Sequence, residues 1–352
     1  MSAPHTLRTA ADIVEAGLGR PEKLAELERV AARYAVAISP VMAELIDPND
    51  PHDPISAQFL PDAAELRQTG DERADPIGDK AHEAVPGLVH RYSDRVLLKL
   101  SNVCAVYCRF CFRREMVGPG QAAHLSDGEI DAAVGYVAAY PEIWEVIVSG
   151  GDPLVLSPRR LAAVSRGIAA IPHVKVLRWH SRVPLVAPER IDASLVEALR
   201  AEGLTTWLAL HANHPDEFTK AGCAALGRIA DAGIPMVSQT VLLRGINDDA
   251  ETLASLMRLF VENRVKPYYL HHGDLAPGTS HFRTGLDKGR ALARKLRGHA
   301  SGLCQPTYVL DLPGGFGKVP VAACHAEDLG NGRFRIEDIR GALHEYPPMD
   351  EG

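Results

Sequence analysis

Three cysteines stand within eight residues, Cys104-Ala-Val-Tyr-Cys108-Arg-Phe-Cys111. As thiolates they can hold three corners of one metal centre but not four. A [4Fe–4S] cluster needs four ligands, so three cysteines leave one iron open to a small molecule. A structural zinc would want a fourth Cys or His at knuckle spacing. None follows; the next cysteine is Cys223. Cys223, Cys304 and Cys324 stand apart from one another, as small core residues commonly do.

Other residues could serve the same chemistry. Gly150-Gly151-Asp152 follows an apolar run; glycines let a backbone approach a ligand closely, and the acid could accept from an ammonium. Pro313-Gly-Gly-Phe-Gly-Lys318 is a glycine-rich loop ending in lysine. It lacks the spacing and the Lys-Ser/Thr ending of a Walker loop. It reads as a plain surface turn, or as a carrier for a lysine that forms a Schiff base with a carbonyl cofactor. Asp274 and Asp311 end apolar runs, as helix caps, loop acids or receptors for a cationic group. At ~4 Å and an effective dielectric near 20, each would attract an ammonium by roughly 4 kcal/mol before desolvation. Arg91, Arg95, Arg113 and Arg114 flank the first strand and the cysteines; their forked donors suit phosphate and carboxylate.

These residues need a scaffold. Strand-like runs occur at 95–100, 144–149, 174–180, 205–211, 235–243 and 266–272, with helix-like stretches near 127–139, 158–170, 193–201, 217–232, 250–263 and 285–298. Six strand–helix repeats predict a parallel sheet with helices outside, either doubly wound or an incomplete (β/α) barrel. Both place the site at the C-terminal ends of the strands. The cysteines, Gly150–Asp152, His180-Ser-Arg182, His211-Ala-Asn-His214 and Asp274 all follow strands, and Gln239 lies in one. Residues 1–84 read as short helices and connectors too thin in apolar residues for a core of their own. They are expected to wrap the main domain or a neighbouring subunit. Residues 85–300 form the main domain and 301–352 a C-terminal segment.

Composition bounds the function. The 352 residues are 46% hydrophobic and 24% charged, with net charge −7 and no basic tract, so nucleic-acid binding is not suggested. Six cysteines in this length make no disulfide scaffold. The opening residues lack the regions of a signal peptide, and no apolar run is long enough for a membrane span. A cytoplasmic protein without a membrane partner is expected.

The cysteine loop after a first strand, with Gly-Gly-Asp after the second, resembles the radical S-adenosylmethionine enzymes. Further text narrows the resemblance to the lysine 2,3-aminomutase family: Val85-Pro-Gly-Leu-Val-His-Arg-Tyr-Ser-Asp-Arg95, Ile171-Pro-His-Val174, Asn213-His-Pro215, Val241-Leu-Leu-Arg-Gly-Ile-Asn-Asp248, His281-Phe-Arg-Thr284, Leu296-Arg-Gly-His299 and Pro313–Lys318. It runs from about Asp50 to Tyr346. It implies an α/β fold, a partial (β/α)6 TIM-like barrel with an N-terminal helical extension. It also implies a [4Fe–4S] cluster on Cys104, Cys108 and Cys111, with S-adenosylmethionine near Gly150, Gly151, Asp152, His211 and Gln239. Pyridoxal 5′-phosphate would be bound by Lys318, with Arg91 and Arg95 near its phosphate. Arg113 would grip the carboxylate of lysine, and Asp274 and Asp311 its distal ammonium.

The implied activity is amino-group migration from C2 to C3 of L-lysine, started by a 5′-deoxyadenosyl radical, with an electron donor such as flavodoxin or ferredoxin. A homo-oligomer is implied as well. The same chemistry on arginine is compatible with both acids; glutamate would need a cation or amide there. A third reading is a branch that supplies β-lysine to elongation factor P, and a fourth a zinc-stabilised binding module without catalysis. Phe316 stands where many members have glycine, and Ser238 where asparagine is common. Longer members carry a C-terminal cysteine cluster resembling a zinc site, which the text through Gly352 lacks.

Overall fold

The apolar runs become strands of one sheet. In the computed structural model, which describes residues 5–346 except positions 119, 121, 323 and 339, these are β1 (Glu83–Val85), β2 (Leu88–Tyr92), β3 (Arg95–Ser101), β4 (Glu145–Gly150), β5 (Val176–Ser181), β6 (Thr205–His211), β7 (Met236–Val241), β8 (Val265–His271), β9 (Thr307–Leu312) and β10 (Gly317–Pro320). They neighbour one another in chain order. Strands β3 through β9 run parallel, with β1 and β2 antiparallel at one edge and β10 antiparallel at the other. The sheet does not close by pairing its edges. Tyr92 Oη instead accepts from the backbone N–H of Lys318 at 2.9 Å, so one side chain bridges β2 and β10 near the two ends of the curl.

Strand alternation sorts the residues. Val96, Leu98, Val146, Val148, Leu177, Trp179, Leu208 and Leu210 are buried in the main core with the helices outside. Residues of the opposite parity, among them Leu97, Ile147, Arg178, His180, Ala209, His211, Gln239, Tyr269 and His271, line one interior cavity. The register carries this inward row from strand to strand: Ile147 is paired with Arg178, His180 with Ala209, His211 with Gln239, and Val241 with His271. A slip of one residue on any strand would turn its polar row into the helix layer.

The helices start where their caps say. Asp127–Ala139 has a reciprocal capping box between Ser126 and Glu129. Ala250–Glu262 is capped by Asp249 and buries Leu253, Leu256, Met257 and Phe260, the apolar face expected from their spacing. Among the described residues, no helix is long and apolar enough to cross a membrane.

Two expectations about organisation change. The N-terminal region does form an apolar cluster: Leu7, Ile13, Leu27, Ile38, Met42, Ile55 and Phe59 are buried together, and Val106 and Val186 of the main domain insert among them. The stretch 21–34 does show a helical face in sequence, and Leu24–Arg33 is a helix burying Leu27 and Val30; the other three helices are six residues long, so what covers that face is settled only in space. The division at residue 300 also cuts a continuous sheet, because β9 pairs with β8 and carries β10. Beyond it, β11 (Ala326–Gly330), β12 (Arg333–Glu337) and β13 (Leu343–Tyr346) form a separate antiparallel sheet.

Candidate active site

The cavity inside the curled sheet has a volume of about 650 Å³ and is lined by all three clustered cysteines and by Lys318. Every residue given a cofactor or substrate role from the sequence lines it, whereas Arg114, His214 and residues 313–317 do not.

The cysteine loop leaves β3 and is held by charge. Arg109, next to Cys108, donates from Nε and Nη2 to Glu65 at 2.9 and 2.5 Å, and Arg114 donates to the same carboxylate. Glu65 is fully buried, and Arg109 and Arg114 nearly so. Arg114 also lies over the Tyr34 ring and donates to the carbonyls of Arg109 and Gly278. Arg114 therefore anchors the loop, and the expectation that it takes part in ligand recognition is corrected. Removing one partner of such a buried set leaves a charge without compensation.

Burial pushes all three thiols above their ordinary range, Cys111 to about 11. Three half-buried thiols that resist ionisation alone will ionise against a bound cationic centre. Soft donors in a set of three, opening on a cavity, fit a [4Fe–4S] cluster.

Around the end of β4 the chain meets itself. Gly150 has φ +117°, and a Cβ there would strike the Ser101 carbonyl; one on Gly151 would strike the backbone of Val103. These glycines therefore let β4 pass close to the root of the cysteine loop, rather than only bringing backbone to a ligand. Asp152 is buried, and its oxygens accept from Leu154 N–H, Ser181 Oγ–H and Arg182 N–H at 2.8–3.0 Å. The free acceptor expected for an ammonium is thus largely committed to tying β4 to β5. His211 sits beside Asn213 Oδ1 at 3.2 Å, and burial lowers its pKa to about 3, so its ring is neutral.

The opposite end of the cavity is built on ion pairs. Lys318 and Asp311 face each other across the β9–β10 ladder, and Lys318 Nζ lies 2.9 Å from Asp311. Burial would raise the Asp311 pKa, but the neighbouring His271 ring and the Lys318 charge outweigh it and bring it to about 2. Asp274 behaves oppositely: burial, then repulsion from Asp311, raises it to about 7. His271 Nδ1 is 3.7 Å from Asp311. Burial keeps His180 and His271 neutral, and the Nε2 of each is buried without a hydrogen-bond partner. Polar nitrogens of this kind, facing a cavity, fit a bound polar ligand.

Arg91 and Arg113 share Asp79. Arg91 Nη2 donates to Asp79 Oδ1 at 3.0 Å, and Arg113 donates from Nε and Nη2 to Oδ2 at 3.0 and 2.9 Å. Asp79 is 1% exposed. The pair is thus a net single positive charge on a three-group cluster, pre-formed for an anion. Arg95 pairs with Asp94 at 2.7 Å and lies over the Tyr92 ring. Phe316 is 82% exposed, so its departure from glycine does not fill the cavity. His180 and Arg182 stood out in the sequence only by following a strand, with no role assigned; Asp79, Glu65 and His271 were not singled out, and nothing in local pattern distinguishes them.

Comparison with known proteins then bears on this geometry. Residues 98–257 match the Radical SAM superfamily, and 293–350 match the family described as Lysine-2,3-aminomutase. The chain is 40% identical over 311 residues to the L-lysine 2,3-aminomutase of Clostridium subterminale, covering 88% of this chain and 74% of the relative. This chain belongs to the lysine 2,3-aminomutase family. It is 35% identical to the L-lysine 2,3-aminomutase of Escherichia coli, over 85% of this chain and 87% of the relative. A glutamate 2,3-aminomutase from Clostridioides difficile is 36% identical, over 92% and 77%. The two matched segments contribute different parts of the cavity, while Arg91, Arg95 and Asp274 lie outside both. The radical SAM part supplies the cysteines, Gly150–Asp152, His211 and Gln239, and the aminomutase part supplies Asp311 and Lys318.

Proposed function

We propose that this member of the aminomutase family interconverts L-lysine and β-lysine. One observation carries the reading: a single cavity holds a three-cysteine loop at one end, and at the other a lysine beside two carboxylates. Supplied together, a reduced [4Fe–4S] cluster, S-adenosylmethionine and pyridoxal 5′-phosphate provide a carbon-centred radical and an imine that can migrate between adjacent carbons. Cys104, Cys108 and Cys111 would hold the cluster, and Gly150, Gly151, Asp152, His211 and Gln239 would border the S-adenosylmethionine. Lys318 would bond to the pyridoxal carbon, and Arg91 and Arg95 would take the phosphate.

The chain's own groups then set specificity. Arg113, steadied by Asp79, receives the α-carboxylate. Asp274 and Asp311 receive the distal ammonium, which takes the place Lys318 Nζ holds beside Asp311. Holding both ends of the substrate fixes the carbons between them, which is where positioning contributes most to rate. Val89, Leu97, Ile147 and Ala209 are among the residues that line the space between, and their apolar surface disfavours water there. A low-potential one-electron donor such as flavodoxin or ferredoxin completes the system.

Identity alone does not choose between lysine and glutamate, since both kinds of relative lie within a few per cent. The charge of the cavity does. A glutamate side chain would bring a third carboxylate to Asp274 and Asp311, and like charges at contact are strongly disfavoured. The test is anaerobic incubation of the fully loaded protein with S-adenosylmethionine, reductant and, separately, L-lysine, L-arginine and L-glutamate. Chromatography should find a β-amino acid from lysine. Turnover of glutamate in preference to lysine would sink the assignment.

A further inference from the structure

Arg182, just after β5, touches the cysteine loop through its side chain. Its Nη1 donates to Cys108 Sγ at 2.8 Å. Its Nη2 donates to Gln58 Oε1 at 2.6 Å and to Glu217 Oε2 at 2.7 Å. The guanidinium also lies against the Phe59 and Phe110 rings. Gln58 donates to the other Glu217 oxygen at 3.2 Å. Arg182 and Glu217 are 5% and 0% exposed. A cation is thus locked against one ligand sulfur by a carboxylate on its far side, and segments distant in sequence converge to hold it.

We propose that Arg182 is a positioning residue that sets the reduction potential of the cluster held by Cys108, with Glu217 as its counterweight. The inference rests on the reading that the cysteine trio holds a [4Fe–4S] cluster. Reduction moves one electron from an external low-potential donor onto the cluster, adding one negative charge. Hydrogen bonds to ligand sulfurs and nearby charges set such potentials. The Arg182 N–H withdraws charge from Cys108 sulfur and stabilises the reduced form. Glu217, beyond it, reduces that effect without removing it. The arrangement makes the reduced cluster attainable by a biological donor while keeping the cation from straying.

The two groups make opposite predictions. Glu217→Gln leaves the arginine charge unopposed and raises the potential. Arg182→Gln with Glu217→Gln removes both charges and the strong donor, and lowers it. Each change should alter the reduced-to-oxidised ratio at fixed potential by tenfold or more, or about 59 mV for one electron.

The experiment is an EPR-monitored redox titration of the full-length, anaerobically reconstituted protein, without lysine, with iron and sulfide counted in every sample. A wild-type chain that takes up no four-iron cluster would refute the underlying reading rather than this proposal. Loaded variants with unchanged potentials would overturn the proposal, as would shifts of the same sign. If Arg182→Gln alone cannot load, Arg182→Lys, which keeps the charge, should load with a potential nearer wild type than the double variant. Failure of every variant to load would assign Arg182 to folding alone and overturn it as well.

Discussion

Replacing Asp274 by asparagine tests the substrate end of the cavity. Its carboxyl is raised to about 7 by burial and by Asp311, whereas Asp311 is brought to about 2. Only the ionised Asp274 attracts the distal ammonium of lysine. Below about pH 7 lysine must expel a proton to bind, at a cost of ~1.4 kcal/mol per pH unit, so the KM for lysine should rise about tenfold per unit as pH falls towards 6. A hydrogen bond to a charged group contributes ~1.5–3 kcal/mol net. Asp274→Asn should therefore lower kcat/KM about 10- to 150-fold at pH 8, where the acid is ionised, chiefly through KM if the contact is made equally in ground and transition states. At pH 6 the gap between wild type and variant should be about tenfold narrower than at pH 8. The assay is the initial rate of β-lysine formation at several lysine concentrations across this range. 2-Aminohexanoate serves as a competitive inhibitor lacking the distal ammonium, and its inhibition constant should show no wild-type-specific slope. A wild-type KM flat through pH 7, or the same slope in Asp274→Asn, would refute the reasoning.

Other consequences follow from single contacts. Lys318→Ala should abolish the visible absorbance of bound pyridoxal phosphate while iron content survives; a borohydride-reducible adduct elsewhere would reject Lys318. Glu65→Gln leaves Arg109 and Arg114 buried without their carboxylate, so it should cost about 3–5 kcal/mol of stability, seen as a lower Tm and poorer cluster retention. Asp79→Asn frees Arg91 and Arg113 from their common partner. It should raise the KM for lysine and for pyridoxal phosphate together while leaving cluster content unchanged; an effect on the cluster alone would contradict the placement.

What could be read in the sequence was what is local. The strands showed because β3 to β8 are contiguous apolar runs, and the cysteine loop showed because its three thiols sit within eight residues. Lys318 stood out only through resemblance, since a glycine-rich turn ending in lysine has many ordinary uses. The charged partners were hidden by distance along the chain. Glu65 meets Arg109 across 44 residues, Asp79 meets Arg113 across 34, and Gln58 meets Glu217 across 159. The stretch holding Asp79 looked like a polar loop because it has no periodicity. Its acid is buried only because two arginines from the barrel come to it. Gly150 and Gly151 were visible as glycines, but which backbone they admit is settled only when the cysteine loop folds over them.

The central claim is that one cavity holds both halves of the chemistry around lysine. Lysine deuterated at C3 tests it directly. Incubated anaerobically with the loaded protein in ordinary water, it should give β-lysine carrying deuterium at C2 and S-adenosylmethionine carrying deuterium in its 5′ methylene. Products whose new C2 hydrogen comes from water, with no deuterium in the recovered S-adenosylmethionine, would contradict it.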